Sequence, residues 1–183
     1  MPPVLNLMPI ETLNLIIAAG ALVMLIALIA LACDLAFAKG RHIANDIAPY
    51  AIYLILAITL GGTAMSLVYS EIYGFIPCAL CWLQRVFLYP QALMAAGGAW
   101  WKDSIMLPRY GILLSIAGVV ISLYQYVYQM LPQGSLPCPA SGTIDCLDKV
   151  IDEFGFMTFP LVSAITFAFL IILYVILYRT HAK

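Results

Sequence analysis

Two cysteine pairs interrupt an otherwise apolar chain, one as Cys78-Ala79-Leu80-Cys81 and the other as Cys138 followed by Cys146. Each lies in a short polar connection between long apolar runs. A thiol pair is a two-electron store, emptied and refilled by thiolate attack on sulfur. Two such pairs on one face of a bilayer would form a relay carrying electrons from protein thiols into the membrane. That reading requires the elements around them to cross a membrane and to place both connections on the same side.

The residues after the first pair are suited to redox work. The string reads Cys78-Ala79-Leu80-Cys81-Trp82-Leu83-Gln84-Arg85. Cys81 is expected near a helix N-terminus, where the positive end of the helix dipole favours a thiolate. Arg85, one helical turn later, shares a face with Cys81 and can bring a cation to that sulfur. Pro77 holds the approach to the helix extended. Two bland readings compete. An arginine at a membrane edge can simply snorkel to the headgroups, and C-x-x-C spacing also serves zinc. Zinc fits poorly, because the second pair has a longer spacing and both histidines, His42 and His181, fall on the opposite side; no metal site is expected.

The surrounding elements follow from composition. The chain of 183 residues is 64% hydrophobic and 9% charged, far below the roughly 25% charge of soluble domains. Its formal charge of −1 offers nothing toward a nucleic-acid partner. Five runs are long and apolar enough to cross a bilayer as helices: Leu13–Phe37, Ala48–Val68, Leu83–Trp101, Tyr110–Met130 and Phe156–Tyr178. Gly61, Gly62, Gly97, Gly98 and Gly118 fall inside them, where small residues let helices approach. The expected fold is all-α: a four-helix-bundle core from spans two to five, plus one extra N-terminal transmembrane helix. It forms a single membrane domain over residues 1–183, with outer connections at 69–82 and 131–155.

Orientation follows from the basic residues. Lys39 and Arg41, Lys102 and Arg109, and Arg179 and Lys183 fall on one side of a five-span chain, so that side is cytoplasmic. The N-terminus is then outside, the C-terminus inside, and both cysteine pairs lie on the outer side, where disulfides persist. A competing reading takes Ala36-Phe37-Ala38 as a signal-peptidase site. The apolar run before it is about twice a normal signal core, and no Lys or Arg precedes it. Cleavage would also move the cysteines to the reducing cytosol.

The string Cys78, Leu80, Cys81, Gln84, Arg85 resembles the active-site motif of the DsbB family of membrane thiol oxidoreductases, and the similarity extends from about Ala48 to the C-terminus. The family commonly has proline after the first cysteine, where Ala79 stands here. Its best-known members have four spans, whereas this chain has a fifth, as in the DsbI-like branch; its second cysteine connection is also short. The resemblance implies an inner-membrane enzyme that reoxidises a periplasmic DsbA-like, thioredoxin-fold partner and delivers the electrons to a quinone, ubiquinone or menaquinone. It implies further that the partner attacks a Cys138–Cys146 disulfide, most simply at Cys138. Cys78 then exchanges with that outer pair, Cys81 meets the quinone with help from Arg85, and Gln84 supplies local hydrogen bonding. Two other readings stay open. A vitamin K epoxide reductase-like enzyme runs similar chemistry but carries its quinone-proximal C-x-x-C near the last spans, and a non-catalytic membrane protein could hold the cysteines as static disulfides.

The remaining chemistry-bearing residues have simpler expectations. Cys33 is expected to pack as a small hydrophobe in the first span, and Asp34 to cap a helix or reach toward Lys39. Trp100, Trp101, Phe156 and the tyrosines at span ends suit an interfacial aromatic belt. Asp145 and Asp148 read as solvated loop carboxylates.

Overall fold

The computed structural model describes residues 8–37, 42–101, 106–131 and 150–181. Cys138 and Cys146, with most of the charged residues of the connections, lie outside the described residues.

Chains with this much Leu, Ile, Val and Ala have no water-free way to satisfy backbone groups except within a helix, and the observed elements follow. Helix α1 runs Ile10–Phe37, 28 residues and about 42 Å long at 1.5 Å per residue. A short α2, Ile43–Ile47, leads through a 3-10 turn at Ala48–Tyr50 into α3, Ala51–Leu67, and a π turn closes it at Val68–Ile72. Pro49 sits in that 3-10 turn at a helix entry, where its missing N–H leaves no bond unmade. Helices α4, Ala79–Trp101, and α5, Met106–Met130, follow. After a two-stranded hairpin, β1 at Asp152–Glu153 and β2 at Met157–Thr158, α6 runs Phe159–His181.

Four of these segments are long and apolar enough to cross a membrane: Ile10–Phe37, Ile43–Ile72, Met106–Met130 and Phe159–Thr180. α4 is less apolar because it turns Gln84, Arg85 and Gln91 into the protein interior. It is packed between α3 and α5. The all-α membrane fold expected from composition is observed. α3, α4, α5 and α6 form a bundle, with α5 along α6 as its most extensive contact and α1 laid against α6. The last helix starts at Phe159 rather than Phe156 because residues 152–158 pair in the hairpin, Asp152 opposite Thr158 and Glu153 opposite Met157. Phe154 and Gly155 take left-handed φ values of 57° and 75° at its tip.

The main core lies where α3, α4 and α6 meet the base of α1 and α2, around Ile55, Ala95, Phe167, Leu170, Leu173 and Tyr174. Glycine makes the α5–α6 contact possible. A Cβ on Gly118 would stand 2.6 Å from the Phe167 ring, and one on Gly111 would overlap the Tyr174 ring. The same seam carries a buried polar node. Ser115 Oγ and Tyr174 OH both donate to Gln91 Oε1, at 3.1 and 3.0 Å, while Gln91 Nε2 donates to the Phe87 carbonyl at 2.8 Å. That last bond lies beside Pro90, whose ring removes a backbone donor from α4. The ends of the helices are matched as well: the Arg109 guanidinium, in the first turn of α5, lies 5.8 Å from the centre of the Tyr178 ring near the end of α6. The opposite end of α5 meets the cysteine pair.

One sequence expectation changes here and a neighbouring one holds. Cys33 is exposed on the outer surface of α1 rather than packed inside, because the helix turns Leu31 and Asp34 inward instead. The Asp34 carboxylate does cap a helix: its Oδ2 accepts from the Ala44 backbone N–H at 2.9 Å, in the first turn of α2. Burial at 7% exposure makes that partner necessary. Lys39 lies outside the described residues.

Candidate functional site

The π turn after α3 carries Tyr69 inward, and Gly74, with φ of 75°, releases the chain into a segment without regular secondary structure through residues 74–78. Pro77 lies in that stretch, as its restriction on the preceding residue requires. The chain then enters α4, whose first turn is marked by the Trp82 N–H donating to the Cys78 carbonyl at 3.0 Å. Cys78 therefore stands at the helix entrance and Cys81 within its first turn. Their sulfurs are 3.2 Å apart. Cys78 is 6% exposed and packs with Leu80 against Ile121, Tyr124 and Tyr128 of α5.

The polar groups around the sulfurs come from two helices. Gln125 of α5 aims its Nε2 between them, 3.5 Å from Cys78 Sγ and 3.4 Å from Cys81 Sγ. Its Oε1 accepts from Gln84 Nε2 at 2.8 Å. Gln84 thus fixes the direction of the Gln125 amide, and that amide supplies the hydrogen bonds to sulfur. Both side chains are buried, at 6% and 2% exposure, so neither can exchange its partner for water. A donor at this place would stabilise sulfur carrying negative charge.

Arg85 is buried beside them and reaches across to α3. One of its terminal nitrogens donates to the Ser66 carbonyl at 3.0 Å, and the guanidinium carbon lies 5.1 Å from the centre of the Trp82 ring. Its guanidinium thus bridges α4 and α3, and Arg85 lines the same cavity as Cys81. A guanidinium has five N–H donors, and the Ser66 contact uses one. Of the expected site residues, the structure brings together Cys78, Cys81, Gln84 and Arg85. Cys138 and Cys146 fall outside the described residues.

Gln125 was not singled out by sequence reasoning. It lies 44 residues beyond Cys81, in a run that reads as an ordinary apolar span. A signal was nevertheless present: Gly111, Ser115, Gly118, Ser122, Gln125 and Gln129 recur at alternating spacings of four and three, all on one helix face, and all are buried. Polar residues within a span face the protein interior.

The site opens on a cavity of about 640 Å³ bounded by α1, α3, α4, α5 and α6. Cys81, Gln84, Arg85, Gln125 and Ser66 line one part of it, and aliphatic side chains such as Ile58, Met65, Leu88 and Val162 line much of the rest. Its size is ordinary for a pocket that encloses a small organic molecule, and a largely apolar wall with a few polar groups is the usual composition. Among the described residues no cluster of His, Cys, Asp or Glu is arranged to hold a metal ion.

The family model described as disulfide bond formation protein DsbB matches residues 45–177. The SPbeta prophage-derived disulfide bond formation protein B of Bacillus subtilis (strain 168) is 40% identical over 117 residues, covering 63% of this chain and 76% of that protein. The probable disulfide formation protein C 1 of Bacillus anthracis is 37% identical over 118 residues, 64% of this chain and 84% of that protein. The disulfide bond formation protein C of Bacillus subtilis (strain 168) is 36% identical over 123 residues, 67% and 86% respectively. No solved structure matches the chain.

Proposed function

The chain belongs to the DsbB family of disulfide bond formation proteins, and we propose that it is a quinone-dependent oxidoreductase that reoxidises a DsbA-like thioredoxin-fold partner at the outer face of a bacterial inner membrane. The observation that carries this reading is the placement of two sulfurs, 3.2 Å apart, at the edge of a largely apolar cavity within the membrane fold. A quinone ring fits that cavity: aliphatic walls suit its tail, and Arg85 can donate to a ring carbonyl. The bound quinone would accept two electrons and two protons and become a hydroquinone.

The chain's own residues do the rest. The outer pair, Cys138 and Cys146, takes electrons from the partner: the partner's dithiol becomes a disulfide and the outer disulfide becomes two thiols. Exchange with the Cys78–Cys81 disulfide then re-forms the outer bond and leaves Cys78 and Cys81 as thiols, with one S–S bond broken for each one made. Oxidation of that inner pair releases two electrons and two protons into the cavity. Gln125 holds both sulfurs through its amide, Gln84 holds Gln125, and Arg85 provides positive charge where the ring oxygen gains electrons. Five crossings, including α4, with the N-terminus outside, would put both pairs on the oxidising side. Arg109 and Arg179 would then share the cytoplasmic end, a placement supported by the packing of Arg109 against the end of α6.

The test is turnover of purified protein with a reduced DsbA-like protein and a short-tailed quinone, followed by quinone absorbance. The wild type should consume quinone, and Cys78→Ser and Cys81→Ser should each abolish consumption. Wild-type rates in either variant would end the relay reading. Cys146→Ser should trap a mixed disulfide at Cys138, from which the physiological donor can be identified.

A further inference from the structure

α1 precedes residues 45–177, the part of the chain that matches the family model, yet it forms part of the cavity. Asn14, Ile17, Ala18, Ala21 and Met24 lie along one side of this helix at spacings of three and four. Ala18 and Ala21 are seated against α6 and β2, through Ile165 and Met157. Ile17 and Met24, beside them, line the cavity, while Val23 and Ile26 face outward at 67% and 68% exposure. α3 presents Gly61 to the same space, and a Cβ there would meet nothing within 4 Å.

Asn14 fastens this wall. Its Nδ2 donates to the Val150 carbonyl at 2.9 Å and its Oδ1 accepts from the Tyr69 hydroxyl. Val150 and Tyr69 are cavity-lining residues themselves, one from the segment leading into β1 and the other from the π turn. A second tie, from Tyr73 OH to the Met8 carbonyl at 2.8 Å, fixes the start of α1 to the segment that leads to Cys78. An amide that is 8% exposed and bonded at both ends is a poor lipid-facing residue and an effective anchor.

We propose that α1 is the selectivity wall of the cavity: Ile17 and Met24, held in place by Asn14, set how large a quinone ring is accepted. This rests on the quinone reading above and assigns a specificity role to a helix outside the matched region. Shortening the wall admits a wider ring, and filling the space opposite it excludes one. One misfit group in an apolar pocket discriminates by roughly tenfold or more.

The experiment is equilibrium binding to the oxidised full-length protein in detergent, read by tryptophan quenching, with a short-tailed benzoquinone and a short-tailed naphthoquinone as probes. Met24→Ala and Ile17→Ala should shift the ratio of the two dissociation constants toward the two-ring probe by roughly three- to tenfold, and Gly61→Val should shift it in the opposite direction. Asn14→Leu, which suits a helix better than Asn does but removes both hydrogen bonds, should weaken both probes at least threefold. Opposite shifts from the two sides of the cavity distinguish a wall from general loosening, which would move both probes together. A wild type that binds both quinones with a ratio unchanged in every variant overturns the wall alone. Unchanged affinities in Asn14→Leu overturn the anchoring role. A wild type that binds neither probe overturns the quinone reading and this inference with it.

Discussion

Replacing Gln125 with leucine isolates the hydrogen bonds that the protein makes to its redox sulfurs. The change keeps bulk in α5 and removes an amide 3.5 Å from Cys78 Sγ and 3.4 Å from Cys81 Sγ. These bonds favour the reduced pair, because thiol or thiolate sulfur accepts better than disulfide sulfur. A net hydrogen bond contributes about 0.5–1.5 kcal/mol, and long bonds to sulfur belong at the low end, so two amount to about 1 kcal/mol. For a two-electron couple, 30 mV corresponds to about 1.4 kcal/mol, and the reduction potential of the Cys78–Cys81 pair should therefore fall by about 20 mV. The assay equilibrates purified protein with dithiothreitol buffers of graded ratio and counts free thiols at Cys78 and Cys81 by alkylation, with Cys138 and Cys146 replaced by serine. Gln84→Leu should move the potential the same way by less, since it frees the Gln125 amide without removing it. The double variant should fall short of the sum, because the two act through one 2.8 Å bond. A folded Gln125→Leu protein with an unchanged or higher potential would refute this account of the site.

Two further outcomes follow from the packing. Arg85→Ala should raise the KM for quinone by about tenfold or more while leaving oxidation of the outer pair's partner closer to wild type, since Arg85 bridges Ser66 and Trp82 at the cavity and carries a charge-assisted contact there; equal loss in single-turnover exchange and quinone reduction would make it a structural bridge only. Gly118→Ala should destabilise the fold by about 1–3 kcal/mol, the usual cost of overpacking, because its Cβ would press the Phe167 ring at 2.6 Å, and equilibrium unfolding in mixed micelles that shows no loss would contradict the close α5–α6 approach.

Much of the site was legible because its residues share one short string. Cys78, Cys81, Gln84 and Arg85 span less than three helical turns, so helical spacing alone brings them near one another, and composition alone made the surrounding helices necessary. What was not legible came from other elements. The acceptor that Arg85 takes, the carbonyl of half-buried Ser66, belongs to α3, which spacing within α4 cannot reveal. Gln125 took the place at the sulfurs because α4 and α5 pack with their polar faces together, a pairing that no local pattern encodes. The hairpin before α6 escaped notice for a different reason: each of its strands has only two residues, too few for an alternating pattern to appear.

The docking of α1 on α6 also has a consequence in time. α1 leaves the ribosome first among the described helices, and its principal helical partner is the last of them, beginning at Phe159 when α1 has ended at Phe37. Until α6 is inserted, Ala18 and Ala21 have no surface to meet. Asn14 likewise waits for Val150, though Tyr69 arrives sooner. During synthesis the Asn14 amide can therefore be met by Tyr69 while its Nδ2 still lacks the Val150 carbonyl. The contacts that α3, α4, α5 and α6 make with one another do not involve α1, whereas the contact of α1 with α6 must wait for the last helix. The cavity's outer side is thus the last part of the protein to close, and defects in α1 should leave an assembled bundle with an open flank rather than an unfolded chain.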